Sequence, residues 1–410
     1  MVVILTIIPP MTFAQNISNS PYSRFGYGKL TDNSFASQRG MGGIGYGIRN
    51  SEIINSTNPA SYSNIDSMTF MMDMGLAAQV GWYEDGQYKD RKTNGGLEYI
   101  AMQFPLFKRM GVGFGLEPIS QVGYSYGGYE DLDNDDYVSY VYKGNGGLSQ
   151  VYGGVSYNFF DKLSIGAKFT YLFGDIMHNN TASFNSTENY ITSWRDTLRL
   201  NGFTYRLGLQ YTQPIGKDQS VVVGAVYSPK IKVNGISKSQ VLRINPSTGG
   251  AMTNEYTVFR DSVFEMPESY GIGFSFNKRN KYTLGIDAQY QKWSTAKFYD
   301  REGELNDLLK INMGGQYIPN YMNRNYLDQI RYRAGVYYSD SYLRIQNSGY
   351  KEYGVTVGLG LPTIDRRSLI NISFDYSLLR PDINMVNEQF FKITLSYTFN
   401  EQWFFKRKVQ

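Results

Sequence analysis

The chain has 410 residues, and its 40 Lys plus Arg against 36 Asp plus Glu leave a formal charge of +4, too balanced for a nucleic-acid surface. It has no cysteine, which excludes disulfides, thiolate chemistry and a lipid-modified N-terminal cysteine. Aromatic residues reach 16% and glycines number 43 while the mean hydropathy is −0.39, a combination typical of strands with one apolar face.

Residues 1–14, MVVILTIIPPMTFA, form an apolar run that ends in a small residue, Ala14, before Gln15. This pattern predicts a secretory signal peptide that is removed after Ala14, although its positively charged start is missing. The alternative interpretation is a short buried strand. Because no later apolar run approaches the ~20 residues of a transmembrane helix, an exported chain of this kind indicates the bacterial envelope.

Residues 15–67 do not alternate, and they contain the glycine cluster RGMGGIGYG. In it Gly40, Gly42 and Gly45 have the spacing of a dinucleotide-binding fingerprint, which requires a buried strand before it and a helix after it. Polar residues precede the cluster, and an Asn- and Ser-rich stretch follows it. We therefore reject a nucleotide cofactor and expect these glycines, with Gly43, to let the backbone pack flat against a wall.

From Met68 onward, apolar and polar residues alternate with period two, as in LSIGAKFTYLF and FKITLSYTF. The alternation predicts fourteen strands, each long enough for the ~9–11 residues that cross a bilayer. The predicted strands lie near 68–82, 94–107, 111–126, 145–160, 162–176, 194–214, 219–236, 254–277, 281–297, 310–318, 330–345, 350–361, 368–380 and 388–400.

The lengths of the joints favour a membrane barrel over a soluble sandwich. Tight turns alternate with longer polar segments, which we place at 83–93, 127–144, 177–193, 237–253 and 298–309. An open sheet would leave unpaired backbone groups in hydrocarbon, so the sheet must close. We predict an all-β transmembrane antiparallel barrel over residues 68–400, with Tyr and Trp residues such as Trp82 and Trp293 at the membrane interfaces.

The chain offers little for catalysis. Its single histidine, His178, falls in a predicted polar loop, and no serine is placed beside it, so we predict that the protein is not an enzyme and uses no cofactor.

A calcium site is the one metal hypothesis that the sequence raises. Three residues of YEDLDNDDY have the spacing of calcium ligands: Asp131, Asp133 and Asp135. Asp136 and Tyr142 stand where a calcium loop needs Gly and Glu. The default interpretation is a solvated acidic loop, and a weak calcium contact is the alternative.

Several charged residues fall on the polar face of predicted strands: Lys168, Asp287, Arg333 and Asp375. Charges are costly on the lipid side of a barrel and tolerated inside it, so we expect these side chains in the lumen. They either line a path or form ion pairs that hold the segment 15–67, and ion pairs are the favoured alternative.

Residues PYSRFGYGKL, RGMGGIGYGIR and NPASYSNIDSMTF, followed later by MPESYGIGFSF and YGVTVGLGLP, resemble FadL-type outer-membrane proteins of the Bacteroidota branch. The resemblance implies that residues 15–67 form an N-terminal plug inside a fourteen-stranded barrel in the bacterial outer membrane. The family's plug motif matches Asn58, Pro59 and Ala60 here, and it implies a gate for hydrophobic molecules. A purely structural plug remains an equal alternative.

Two functions follow as hypotheses. The first is FadL-like passage of hydrophobic, fatty-acid-like molecules through the plugged barrel. The second is a non-transporting barrel subunit of an outer-membrane machine for protein export or outer-membrane protein assembly, with lipoproteins and other barrels as partners. Outer-membrane lipids and lipopolysaccharide would surround either. The basic tail, residues 401–410, is a solvated periplasmic end or a docking point.

Overall fold

The computed structural model describes residues 18–402 except 87, 133–135, 186–190, 246–247, 249–250, 253–257, 280, 365 and 383–384, and it leaves the side chains of 251–261 undescribed. The predicted signal peptide, residues 1–14, lies outside the described residues, as does most of the predicted tail. No helix within the described ranges is long and apolar enough to cross a membrane.

Antiparallel strands account for most of the described chain. In chain order they are β1 (Lys29–Leu30), β2 (Thr69–Glu84), β3 (Lys89–Phe107), β4 (Met110–Asp131), β5 (Tyr137–Phe159), β6 (Leu163–Phe184), β7 (Ile191–Pro214), β8 (Gln219–Ser228), β9 (Ile231–Ile244), β10 (Ala251–Met252), β11 (Val258–Met266), β12 (Glu268–Lys278), β13 (Tyr282–Lys292), β14 (Leu308–Tyr317), β15 (Arg331–Asp340), β16 (Tyr350–Pro362), β17 (Leu369–Pro381) and β18 (Asn387–Gln402). One short helix, α1 (Ala36–Arg39), and 3₁₀ turns at Pro21–Arg24, Pro59–Ser63, Trp293–Thr295 and Tyr326–Gln329 complete the order.

The barrel wall has fourteen strands when β8 and β9 are counted as one interrupted strand and β10, β11 and β12 as another, with β1 outside the wall. β7 pairs with β8 along its last residues and with β9 along Ile191–Asn201, so β8 and β9 are one strand broken near Pro229. β11 and β12 are likewise one strand broken at Pro267. Proline cannot donate to the ladder, which explains the breaks. The predicted closed, fourteen-stranded antiparallel barrel is confirmed.

The barrel closes because the last strand pairs with the first. β18 and β2 are in antiparallel register along their full lengths, from Asn387 opposite Glu84 to Gln402 opposite Thr69. This pairing satisfies the backbone groups that an open sheet would leave free at its two edges. The chain therefore enters and leaves the wall at the same end, which we call the proximal end; the opposite end is the distal end.

Side-chain exposure alternates along the strands as the sequence predicts, with the apolar set outside. On β6, Phe169 is 63% exposed, whereas its neighbours Lys168 and Thr170 are only 2% and 4% exposed. A soluble protein buries its apolar face, so this inversion indicates that hydrocarbon surrounds the wall.

Several predicted distal loops are strands instead. The segments 127–144 and 177–193 are largely occupied by the extended ends of β4, β5, β6 and β7. His178, which we placed in a loop, lies on β6 opposite Asp196. These stretches lack the regular apolar alternation of the wall, but pairing with the neighbouring strand holds each of them extended.

Closure can be tested with cysteines because the natural chain has none. Leu76 and Leu395 are register partners on the outer face of β2 and β18. We expect a Leu76→Cys/Leu395→Cys variant to form a disulfide on oxidation, detected as a mobility shift after proteolysis between the strands. The control is Leu76→Cys/Ile372→Cys, because Ile372 lies on β17, one strand further. Two strand spacings, about 10 Å, exceed the reach of a disulfide. Cross-linking in the control alone would contradict the register.

Candidate functional site

The candidate site is the interior of the barrel, where residues 18–67, hereafter the N-terminal segment, contact inward-facing residues of the wall. Near the distal end, the Tyr27 amide donates to the Tyr342 hydroxyl at 3.0 Å. Near the proximal end, the Gln103 side chain on β3 donates to the Tyr62 carbonyl at 3.1 Å. The segment therefore runs through the lumen before the chain joins the wall at β2.

Backbone of the segment rests directly on glycines of the wall. A Cβ built on Gly224 would lie 1.8 Å from the Tyr46 carbonyl oxygen, and one on Gly335 would lie 2.2 Å from the Gly42 nitrogen. Both distances are below any van der Waals contact. Similar backbone contacts of less than 3 Å define a set that we call the wall glycines: Gly111, Gly166, Gly224, Gly273, Gly314, Gly335 and Gly358.

The glycine cluster of the segment has two different requirements. Gly42 and Gly43 have φ values of +71° and +84°, which disfavour residues with a Cβ. Gly40 and Gly45 are needed for close approach, since a Cβ on Gly45 would lie 2.2 Å from the Thr57 hydroxyl. The only helix here, α1, precedes the cluster, which is the reverse of a nucleotide-binding fingerprint.

The amides of this cluster bind a carboxylate of the wall. Asp287 on β13 accepts hydrogen bonds from the Gly45 and Tyr46 amides at 2.6 and 2.8 Å, and it is 3% exposed. Consecutive backbone N–H groups form an anion-binding concavity, and here the protein's own aspartate fills it. The sequence pattern of a phosphate-binding loop thus serves to fasten the segment.

Asn58, Pro59 and Ala60 form a cap that joins two parts of the segment. The Asn58 side chain accepts from the Ala60 amide at 3.0 Å and donates to the Tyr46 carbonyl at 2.8 Å. Pro59 occupies the first position of the 3₁₀ turn, where its missing N–H costs nothing. Asn58 therefore holds the glycine cluster beside the turn, and it also packs against the wall at Gly208.

Lys168 is paired inside the lumen. Its ammonium lies 3.1 Å from both the Glu117 carboxylate and the Ser56 carbonyl oxygen, and both ionic side chains are 2% exposed. Gln150 and Ser56 also donate to Glu117. This buried pair contacts the segment, and Glu117 was not singled out from the sequence.

Arg333 and Asp375 also face inward, but neither forms an ion pair within 4.0 Å among the described residues. Arg333 donates to the Gln316 and Asn371 side chains, each at 2.8 Å. Asp375 accepts from the Tyr337 hydroxyl at 3.1 Å.

Other ion pairs, which sequence reasoning missed, connect the segment to the wall. Arg39 donates to Glu98 at 2.6 Å, and Lys392 contacts the other oxygen of the same carboxylate. Asp32 lies 2.8 Å from the Lys310 ammonium. Burial opposes ionisation of Asp32, but the charges of Lys310 and Arg39 outweigh it and hold the pKa of the carboxyl below its ordinary value. No sequence period marks these partners, because their contacts join residues far apart in the chain.

The barrel wall splits between β3 and β4. Their register runs from the proximal end only as far as Ile100 opposite Leu116. Beyond that point β1 of the segment pairs with β4, with Leu30 opposite Ser120, and the Asn19 side chain donates to Asn94 of β3 at 3.0 Å. The N-terminal segment thus covers the gap between the two diverging strands.

A cavity of about 280 Å³ lies behind this gap. Apolar side chains, including Leu30, Ile119 and Leu172, line it together with charged ones, including Lys310 and Asp375. The cavity is therefore amphipathic, with room for a small molecule.

Aromatic side chains close the distal side of the lumen. Trp293, which we predicted at a membrane interface, is 3% exposed, and its ring centroid lies 5.5 Å from that of Tyr27 and 4.8 Å from that of Tyr342. The prediction for Trp293 is wrong because the residue sits in a 3₁₀ turn that folds inward after β13. Trp82, by contrast, is 38% exposed.

The remaining candidates form no recognisable centre. His178 Nδ1 lies 2.7 Å from the Tyr124 hydroxyl, and the two rings stack. Asp131 ends β4, while Asp133 and Asp135 lie outside the described residues. Within the ranges that the structure describes, no three His, Cys, Asp or Glu side chains converge as metal ligands.

Solved structures share this architecture. The Ralstonia pickettii toluene transporter TbuX matches at 14% identity and a TM-score of 0.59, covering 91% of this chain and 99% of its own. A Pseudomonas aeruginosa FadL homologue matches at 14% identity and a TM-score of 0.62, covering 90% and 99%. The Pseudomonas putida toluene transporter TodX matches at 16% identity and a TM-score of 0.58, also covering 90% and 99%.

The fold is therefore that of the FadL-type outer-membrane barrels. A family model described as BamG matches residues 1–410, and the chain belongs to the BamG family. A comparison with curated protein sequences finds no match.

The contact between the segment and the wall glycines can be tested at Gly224. A Gly224→Ala substitution places a methyl group against the Tyr46 carbonyl, so we expect the segment to shift at a cost of about 1–3 kcal/mol. Limited trypsin digestion of the purified barrel should then cleave faster at Arg39 and Arg49. Gly128→Ala is the matched control, because a Cβ there meets no atom within 4 Å. Equal cleavage in the two variants would contradict the contact.

Proposed function

We propose that this BamG-family protein resides in the bacterial outer membrane and binds and passes small hydrophobic compounds. The observation that carries the proposal is the split between β3 and β4, which is covered only by the N-terminal segment and leads to the amphipathic cavity. The proximal end faces the periplasm in this proposal, because short turns and both ends of the wall lie there.

The cavity suggests the kind of molecule. Its apolar side chains favour a compact hydrocarbon portion, while Lys310 and the other charged groups suit a single polar group on the same compound. TbuX and TodX, which share the fold, are described as toluene transporters. A compound entering through the split would first displace β1 from β4, so the N-terminal segment would act as the gate.

Locking the gate tests this function. Leu30→Cys/Ser120→Cys would tie β1 to its register partner on β4. We expect oxidation to reduce uptake of a radiolabelled monoaromatic compound by whole cells at least tenfold, and reduction to restore it. The matched control, Val355→Cys/Tyr376→Cys, joins two wall strands that are already paired and exposed. Unchanged uptake after complete cross-linking of the first variant would overturn the gate.

A second function, a non-transporting subunit of an outer-membrane assembly or export machine, has its own support. The segment is tied to the wall by buried ion pairs such as Arg39 with Glu98, which opposes movement. The BamG family match is compatible with such a role. Lipoproteins and other barrels are the partners proposed.

Co-purification distinguishes the two functions. If the protein is a machine subunit, we expect it to leave native outer membranes in mild detergent with partners in fixed stoichiometry, measured by mass photometry and quantitative mass spectrometry. A tagged unrelated barrel from the same membranes is the control for carry-over. Recovery of the protein without partners would contradict the subunit proposal and would not affect the transport proposal.

A further inference from the structure

We infer that two neighbouring turns at the proximal end bind the headgroups of anionic phospholipids in the adjacent membrane leaflet. The turns join β7 to β8 and β12 to β13. On them, or at the strand end beside them, lie four cations that we call the basic turn residues: Lys217, Lys278, Arg279 and Lys281. The inference rests on the membrane location proposed above, but not on what the barrel passes or assembles.

The two turns are held side by side by the ladder of the wall. β8 pairs with β12, with Gln219 opposite Lys278, and the Arg279 amide donates to the Asp218 carbonyl at 2.9 Å. Lys217, Arg279 and Lys281 are exposed. Both turns are short, so the four cations are concentrated on a small part of the proximal edge.

The charge of the basic turn residues is not compensated nearby. Among the residues that the structure describes, none of the four has a carboxylate within ion-pair distance, and Asp218 is the one acid in the sequence of either turn. Exposed lysines at the distal end are paired instead, at 2.9 to 3.9 Å, in Lys89 with Glu84, Lys92 with Asp90 and Lys351 with Asp382. The two turns therefore present a positive surface that attracts an anionic partner.

The height of the basic turn residues on the wall identifies the partner. Three tyrosines that are register partners face outward near the distal edge of the apolar band: Tyr227, Tyr270 and Tyr290. From Tyr270, Lys278 is roughly eight residues away along β12, which is about 20 Å of height at about 3.3 Å per residue and a tilt of about 40°. Because the apolar band of a membrane barrel is about 25 Å tall, these cations lie at the level of lipid phosphates.

Neighbouring side chains also indicate a membrane boundary at these turns. Tyr282 is the register partner of Lys278, with its ring centroid 5.9 Å from the ammonium, and Tyr317 is the next partner on β14. Tyrosines are typical of the interface between hydrocarbon and water. Ile215, in the first turn, is 60% exposed. Cations beside an aromatic girdle meet lipid headgroups directly, which favours a lipid over an acidic protein.

Lipids bound at these turns would fix the position of the barrel in the membrane. Phosphates held by cations on the proximal edge of β8 and β12 would oppose a vertical displacement of these strands. The outward tyrosines at the other edge of the band act in the opposite direction. The barrel would thus be anchored from both leaflets on this side.

Native mass spectrometry tests the lipid selectivity. The full-length protein is placed in nanodiscs with equal amounts of phosphatidylglycerol and phosphatidylcholine, and we expect it to retain about fivefold more phosphatidylglycerol. Lys217→Gln/Arg279→Gln/Lys281→Gln should lower this ratio to about one. The matched control, Lys89→Gln/Lys92→Gln/Lys351→Gln, removes the same charge from paired distal lysines and should keep the preference.

Three results would overturn the inference: no preference in the unsubstituted protein, a preference retained by the first variant, or an equal loss in the control. Selective loss of a co-purified acidic protein from the first variant, without a lipid preference, would also overturn it and would assign the turns to a protein partner. A protein that does not insert into nanodiscs would contradict the proposed membrane location itself, which is a different observation.

Energy transfer locates the bound lipid. Ile215→Cys supplies a single thiol for a donor fluorophore, because the natural chain has no cysteine. We expect stronger transfer to acyl-chain-labelled phosphatidylglycerol than to phosphatidylcholine with the same label. The excess should disappear when Ile215→Cys is combined with the three substitutions at Lys217, Arg279 and Lys281. Equal transfer to the two lipids would contradict a site at these turns.

Discussion

Close contact between two backbones is the constraint on which the interior depends. At the wall glycines the carbonyls and amides of the N-terminal segment lie where any side chain would stand, as with Tyr46 against Gly224. A barrel of this size is wide enough to leave a channel, so its interior must be filled by something other than wall side chains. Here glycines on several strands leave out the side chains that would fill the lumen, and the N-terminal segment occupies that space.

The close contact between segment and wall also determines which groups form hydrogen bonds with the backbone of the segment. A segment without regular structure brings unpaired amides and carbonyls into the lumen, and each needs a partner. Wall side chains supply several: Asp287 binds the glycine cluster, Lys168 binds the Ser56 carbonyl, and Gln210 binds the Tyr46 and Ile48 carbonyls. These contacts are distributed over many strands, so the opening proposed at the β3 to β4 split would displace the first part of the segment while the remainder stays bound.

The sequence predicts the wall far better than its contents. Alternation is a local signal, so all fourteen strands could be placed, and charges on the polar face such as Lys168 and Asp287 could be assigned to the lumen. The Glu117 partner of Lys168 could not be predicted, and neither could the cluster of Glu98, Lys392 and Arg39, because these residues lie far apart in the chain and meet only in the closed barrel. The distal strand ends also escaped prediction, since they lack a regular hydrophobic period and are held by pairing with their neighbours.

The strands of the barrel differ in length, so the wall is higher on one side at the distal end. β4 to β7 have 22 to 24 residues, whereas β13 to β15 have 10 or 11. At about 3.3 Å per residue the long strands are roughly 75 Å long, and at a tilt of about 40° they span roughly 55–60 Å of height, about twice the apolar band of a membrane barrel. The ends of β4 to β7 therefore project beyond a band of this height, whereas β13 to β15 end near its edge. In the proposed orientation, a large molecule that approaches the distal end would meet the projecting strands β4 to β7 on one side and the shorter strands β13 to β15 on another.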